Sequence, residues 1–335
     1  MKEQRIHWID MLKGICMTAI LLFHTEMYYA GRDVISYNLY VCDALIIFFF
    51  LSGYHFYKPE VFYENRSVRL GHLRNKLKKI VRYMLFPYFI FTALIAFPKA
   101  IAHGITTDST DILLRIISGN ASWFVAALIV AEIVFSIILY ACKGKNMVLS
   151  ISAIISFGIS IYLSTTETSF CWQLENACMA LSFLCLGYIF HEKEEFFNRF
   201  NDIYHTLFLL LILVIIKLYV EITEISLLME PIIISNVPVF IINSFVSILF
   251  MVNVAKQLPR IKIIEWAGAH SLVYYFLCGG VPFVISAIFR TAGFEYNNQY
   301  YRIILAFTAV YIVTSGMTWI IYRYLPFMVL RQRKK

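Results

Sequence analysis

The chain has 335 residues, is 60% hydrophobic and only 15% charged, and has a mean hydropathy of +0.71. A soluble domain carries about 25% charge, so this composition excludes a water-soluble globular fold and leaves no room for a sizeable soluble domain. The net charge of +8 follows membrane topology and gives no reason to expect a nucleic-acid partner.

Apolar runs near the roughly 20 residues needed to cross a bilayer recur along the chain. They predict an all-α, polytopic integral membrane protein with about ten transmembrane helices, at 9–27, 37–57, 80–100, 122–141, 147–163, 170–190, 203–222, 232–254, 267–289 and 303–326. Together these form a single membrane domain over 1–335. With the N-terminus inside, and with Arg82 and Lys99 at the two ends of span 3 counted with the loops they adjoin, inner loops and termini carry 21 of the 29 Lys and Arg and outer loops carry five; Lys13, Lys217 and Arg323 are intramembrane. This positive-inside bias places both termini in the cytoplasm of a multi-pass protein of the cell membrane, the inner membrane of a bacterium, with membrane lipids around it. Oligomeric state is left open.

The first span reads as retained, because Lys13-Gly14 interrupts the apolar region that a cleaved signal peptide would need. Its Asp10, Lys13 and His24 carry the strongest chemical signal. Eleven residues separate Lys13 from His24, about 1,100° of helical rotation, so both fall within roughly 20° of one face. Asp10 joins that stripe at i−3 from Lys13. Ionisable groups inside a span are costly and point to function, and a neutral imidazole is a competent general base near neutral pH. The helical rise puts Lys13 about 16 Å from His24, so one ligand meeting both must be long. An acyl-CoA, with its phosphates at the cytosolic end and a flexible arm, has that reach. Glu26 points away from the stripe.

Span 2 carries Ser52-Gly53, which also suits close helix packing. The basic loop 58–79 leads through Lys78 and Lys79 to Arg82. These three are candidate phosphate contacts or topological anchors, and arginine suits bidentate phosphate binding. Pro87 predicts a bend in span 3. The outer loop 101–121 holds His103, Asp108, Asp111 and Arg115 and leads to Trp123, at an interface where tryptophan is common. Glu132 stands in an apolar helix, as a substrate contact or as partner of an intramembrane Lys, Arg or Tyr. Cys171, Cys178 and Cys185 recur every seven residues and read as packing, with no metal-ligand spacing anywhere. The segment 191–199 mixes charges and reads as a solvated surface, and Lys217 can snorkel. A late polar stretch contains Gly268, His270 and Ser271, and the tail 331–335 is a basic anchor.

Taken in order, these segments resemble the membrane acyltransferase 3 family, and particularly its fucose 4-O-acetylase-like branch. The resemblance rests on Asp10-x-x-Lys13-Gly14 followed by His24; on Phe48-Phe-Phe-Leu-Ser52-Gly53-Tyr54; on the basic run ending in Arg82 before Pro87-Tyr88; on Trp123-Phe124-x-x-Ala127-Leu128 with Glu132; and on Gly268-x-x-Ser271-Leu-x-x-Tyr275. It implies transfer of an acyl group, usually acetyl from cytosolic acetyl-CoA, to a hydroxyl of a sugar or cell-envelope glycan, with His24 catalytic. Lys13 and Arg82, with Lys78 and Lys79, are then the donor contacts. Asp10, Ser52, Gly53, Trp123, Glu132 and Ser271 are substrate or structural supports. Acyl-CoA is a co-substrate, and no cofactor is expected to be tightly bound. The chain departs from the family pattern where it has Lys13 for a frequent arginine, Asp43-Ala-Leu for a histidine-containing run, and Cys278 for a histidine. The competing expectation is an exporter of a polysaccharide or lipid-linked sugar, which scattered intramembrane charges also allow.

Overall fold

The computed structural model describes residues 6–102, 109–166 and 170–330. In chain order the helices are α1 (His7–Tyr29), α2 (Tyr37–Tyr54), α3 (Arg66–Ile80), α4 (Phe86–Ala102), α5 (Ser109–Ile117), α6 (Trp123–Cys142), α7 (Asn146–Ser164), α8 (Leu174–Glu192), α9 (Glu194–Asn198), α10 (Ile203–Ile222), α11 (Val237–Gln257), α12 (Lys262–Ala269), α13 (Ser271–Leu277), α14 (Gly280–Thr291) and α15 (Tyr300–Tyr324). A short hairpin, β1 (Leu227–Met229) and β2 (Ile232–Ile234), joins α10 to α11. The expected loop residues His103 and Asp108 and the basic tail lie outside the described residues.

Among the described residues, eight helices are long and apolar enough to cross a bilayer: α1, α2, α6, α7, α8 with its preceding turn, α10, α11 and α15. A ninth span forms if α13 and α14, bent by 47° at their junction, count as one. In α7 and α10 only 17% of the apolar stretch is buried within the protein, the surface of a helix whose solvent is lipid. Of the ten expected spans, the third, 80–100, is the one not counted. There the chain leaves basic α3 through a π-helical turn, Val81–Leu85, and α4 is only 17 residues long. The break expected at Pro87 therefore falls one turn earlier. The Phe86 N–H reaches back five residues to the Val81 carbonyl, which shifts the ladder just ahead of the residue that has no N–H to give.

The chain divides into two compact units. The first comprises Met1–Phe48, Arg199–Leu228 and Ile234–Tyr324. Its central element is α1, which packs on α11, α12, α13, α14 and α15 and buries Ile9, Leu12, Cys16, Met17, Ile20 and Leu21. Two glycines let α12 approach. A Cβ on Gly14 would collide with the backbone of Ile264, and one on Gly268 with the backbone carbonyl of Asp10. Small residues allow this backbone-to-backbone packing where no hydrophobic force drives helices together.

The second unit comprises Phe49–Asn198, Met229–Ile233 and Leu325–Lys335. Here α8 lies against α6 and α7 and is buried along most of its length. The end of α2 meets α8 through another glycine pair. A Cβ on Gly53 would strike the Leu184 backbone, and one on Gly187 the Phe50 carbonyl. The segment 191–199 is not the purely solvated surface expected of it: His191 stacks on Tyr54 at 3.8 Å, and the Tyr54 hydroxyl donates to Glu194 at 2.5 Å.

Candidate active site

Helix α1 begins at His7 without a side-chain cap and carries both ends of the predicted stripe. Lys13 and His24 are both half-buried. Between them on the same face lie Met17 and Ile20, which are 1% and 3% exposed, so the two polar residues bracket a dry stretch about 16 Å long. Asp10 is half-buried on the same helix, and its backbone supports Gly268. Ser271 opens α13 and is half-buried.

The imidazole of His24 sits in an aromatic setting. Phe23 meets it edge-on at 5.6 Å, and Tyr28, one turn on, lies nearly parallel to it at 6.4 Å. Tyr28 in turn packs edge-on against Phe283 of α14 at 5.7 Å. Its hydroxyl is 3.9 Å from where a Cβ on Gly279 would stand. Tyr28 thus links the histidine to the break between α13 and α14, where Cys278 is buried. Broken helices at membrane depth persist where protein or a cavity satisfies the freed backbone groups. The loop after α1 is held by Glu26, fully buried. Its carboxylate accepts the N–H groups of Val34 and Ile35 at 3.0 and 3.1 Å and the hydroxyl of Tyr300 at 3.0 Å. These partners anchor the end of α1 that carries His24.

The same unit contains a buried ion pair. Lys217 Nζ lies 2.7 Å from Asp43 Oδ2 and donates to the Asn38 carbonyl at 2.6 Å, while Asn243 donates to Asp43 Oδ1 at 2.7 Å. Lys217 therefore does not snorkel. A carboxylate on α2 and a carbonyl one turn away satisfy it inside the protein, where reaching lipid headgroups would gain nothing.

The remaining candidates belong to the second unit. Glu132 accepts a 2.6 Å hydrogen bond from Ser52 on Oε1, and Lys76 Nζ stands 3.7 Å from Oε2. Lys76 also lies 3.5 Å from the centre of the Phe56 ring. The expected basic partner of Glu132 thus comes from the basic helix α3 and not from another span. Gly53 serves close packing, as above. Trp123 opens α6 and meets Phe124 edge-on at 5.6 Å. Lys78, Lys79 and Arg82 are exposed, and the Arg82 guanidinium is 5.6 Å from the Tyr83 ring.

An apolar bundle with one half-buried histidine on a lysine-bearing helix face, and with these motifs in this order, is matched from residue 6 to residue 323 by the acyltransferase domain. The chain belongs to the acyltransferase 3 family. Membership covers nearly the whole chain, describes a membrane-bound protein, and implies O-acyl transfer. Neither a curated protein nor a solved structure matches the chain.

Against the acyltransferase motifs, the structure keeps Asp10, Lys13, His24 and Ser271 in one unit and places Ser52, Gly53, Lys78, Lys79, Arg82, Trp123 and Glu132 in the other. Three residues were missed. Tyr28 was legible, since it follows His24 by four residues on one face. Asp43 gave the same signal as Glu132, an acidic residue in an apolar helix. Lys76 gave none, because it was one cation among seven in a basic loop.

Proposed function

We propose that this acyltransferase moves an acetyl group from cytosolic acetyl-CoA to a hydroxyl of a sugar or cell-envelope glycan, in the manner of the fucose 4-O-acetylase-like branch, with His24 as general base. The observation that carries the reading is the setting of His24: a half-buried imidazole flanked by Phe23 and Tyr28, one dry stretch away from Lys13 on the same face of α1. A ring nitrogen of His24 accepts the acceptor's hydroxyl proton while that oxygen attacks the thioester carbonyl. The C–S bond then breaks, and the thiolate of CoA leaves with the acceptor's proton returned by the imidazolium. Lys13 meets the donor's phosphates, and the flexible arm of the donor spans the roughly 16 Å to the histidine. The exposed cations Lys78, Lys79 and Arg82 suit the same class of phosphate contact.

In this reading both termini and the Lys13 end of α1 face the cytoplasm of a bacterial inner membrane. His24 lies about 26 Å along α1 from His7, so the acceptor arrives from the outer side. Family membership favours this enzyme over an exporter, which would need no acyl donor. The test is CoA-thiol release by the purified protein from acetyl-CoA in the presence of envelope glycan. His24→Asn should lower the rate by about 10²–10⁴-fold. A variant that works at the wild-type rate refutes the assignment. Failure of the wild-type protein to bind acetyl-CoA in a calorimetric titration would return the exporter. Mass spectrometry of envelope glycans from a deletion strain names the acceptor.

A further inference from the structure

A cleft of about 390 Å³ opens at the N-terminal end of α1, lined by His7, Trp8 and Met11 together with the end of α11 and the start of α12. It lies off the Lys13–His24 stripe. Trp8 and Met11 are about 160° and 140° around the helix from His24 at 100° per residue. The acyl-transfer reading makes no use of it.

Its chemistry is mixed in a specific way. Lys256 Nζ sits 4.9 Å from the centre of the Trp8 ring. Arg260 is exposed and makes a bidentate pair with Glu265, at 3.0 and 2.9 Å. His7 Nδ1 approaches the same carboxylate at 3.7 Å. Glu265 thereby fixes the directions of two basic groups, and Arg260 holds its carboxyl below the usual range. With Lys256 and Arg260 set against Glu265, the cleft is net basic. Its lining includes two exposed apolar side chains, Ile6 and Leu258.

Depth decides what such a cleft receives. Span α1 begins at His7 and span α11 ends at Gln257, so the cleft lies where two spans end. There a bilayer passes from hydrocarbon to headgroups, and tryptophan and basic residues collect at that level. A basic pocket between span ends, with exposed apolar residues in its lining, matches an anionic phospholipid: phosphate among the cations, glycerol against Trp8, and chains over Ile6 and Leu258. We propose that this cleft is a binding site for the phosphodiester headgroup of an anionic phospholipid.

The test is native mass spectrometry of the full-length protein released from micelles doped with phosphatidylglycerol or phosphatidylcholine. The wild type should retain phosphatidylglycerol preferentially. Each basic residue at a headgroup is worth about fivefold in affinity, so Lys256→Ala with Arg260→Ala should weaken retention by about thirtyfold. Lys256→Arg keeps the charge and should retain the lipid, which separates loss of the site from loss of fold. Lys145→Ala, at an exposed basic residue elsewhere, should change nothing. Equal retention of the two lipids, or an equal loss in Lys145→Ala, overturns the proposal. Displacement of phosphatidylglycerol by ADP at matching concentration also overturns it, in favour of a nucleotide site, and displacement by inorganic phosphate alone overturns it in favour of a simple anion site.

Discussion

Lys217→Met separates two pictures of one residue. Were Lys217 snorkelling along α10 toward water, methionine would keep the apolar stem and the change would be nearly silent. In the structure its side chain is 9% exposed and that of Asp43 10% exposed, with 2.7 Å between their charged atoms. The substitution leaves a buried carboxylate to which Asn243 still donates, and it strips a donor from the Asn38 carbonyl. Removing one partner of a buried pair costs about 3–5 kcal/mol. At about 2–4 °C per kcal/mol for a large domain, the unfolding midpoint of the detergent-solubilised protein should fall by roughly 10 °C, read by tryptophan fluorescence. Adding Asp43→Asn removes the stranded charge while keeping a group that can pair with Asn243. The double variant should therefore recover most of the loss, giving a positive coupling in the cycle. A single variant within about 2 °C of wild type, or a double variant as unstable as the single, refutes the buried-pair argument.

Gly268→Ala should destabilise by about 1–3 kcal/mol or more, since its Cβ has the backbone of Asp10 in its way and α12 must back off α1; the same thermal assay reads it. Ser52→Ala removes the hydroxyl that Glu132 accepts but leaves Lys76, and should cost about 1–2 kcal/mol, while Ser52→Thr, which keeps the hydroxyl, should cost less; equal losses would show that crowding and not the hydrogen bond is being measured. Asp202 caps α10, accepting the N–H groups of His205 and Tyr204 at 3.0 and 2.9 Å, and these bonds, His205's first, hold its carboxyl below the usual range. Because the folded state has the lower pKa, this contribution is complete above the usual carboxylate value of about 4 and is lost as pH falls through the lower folded one. Asp202→Asn should therefore show a smaller drop in midpoint between neutral and strongly acidic pH than wild type does.

The lengths and compositions of the spans were legible because a bilayer imposes them residue by residue. A helix must satisfy its own backbone and present about 20 apolar residues whatever its neighbours are. The Lys13–His24 stripe was legible for a similar reason, since helical periodicity alone places both on one face of α1. Even here a local feature escaped. The helix through 80–100 shifts into a π turn at Val81–Leu85, because the proline's effect is felt in the turn before it. The charged segment 191–199 looked solvated by composition, yet His191 and Glu194 are claimed by Tyr54 from more than 130 residues away.

By itself, then, the sequence determined the class of protein, the order of its motifs and the face on which His24 and Lys13 stand, all properties of single helices. Only the tertiary structure decided which charges answer each other: Asp43 with Lys217, Glu132 with Ser52 and Lys76, and Glu26 with Tyr300. Such pairs join residues between 56 and 274 positions apart, and periodicity carries no information across the loops between them. What selects the partner is the cost of leaving a charge alone in a low-dielectric interior, which is set by packing once the helices have met.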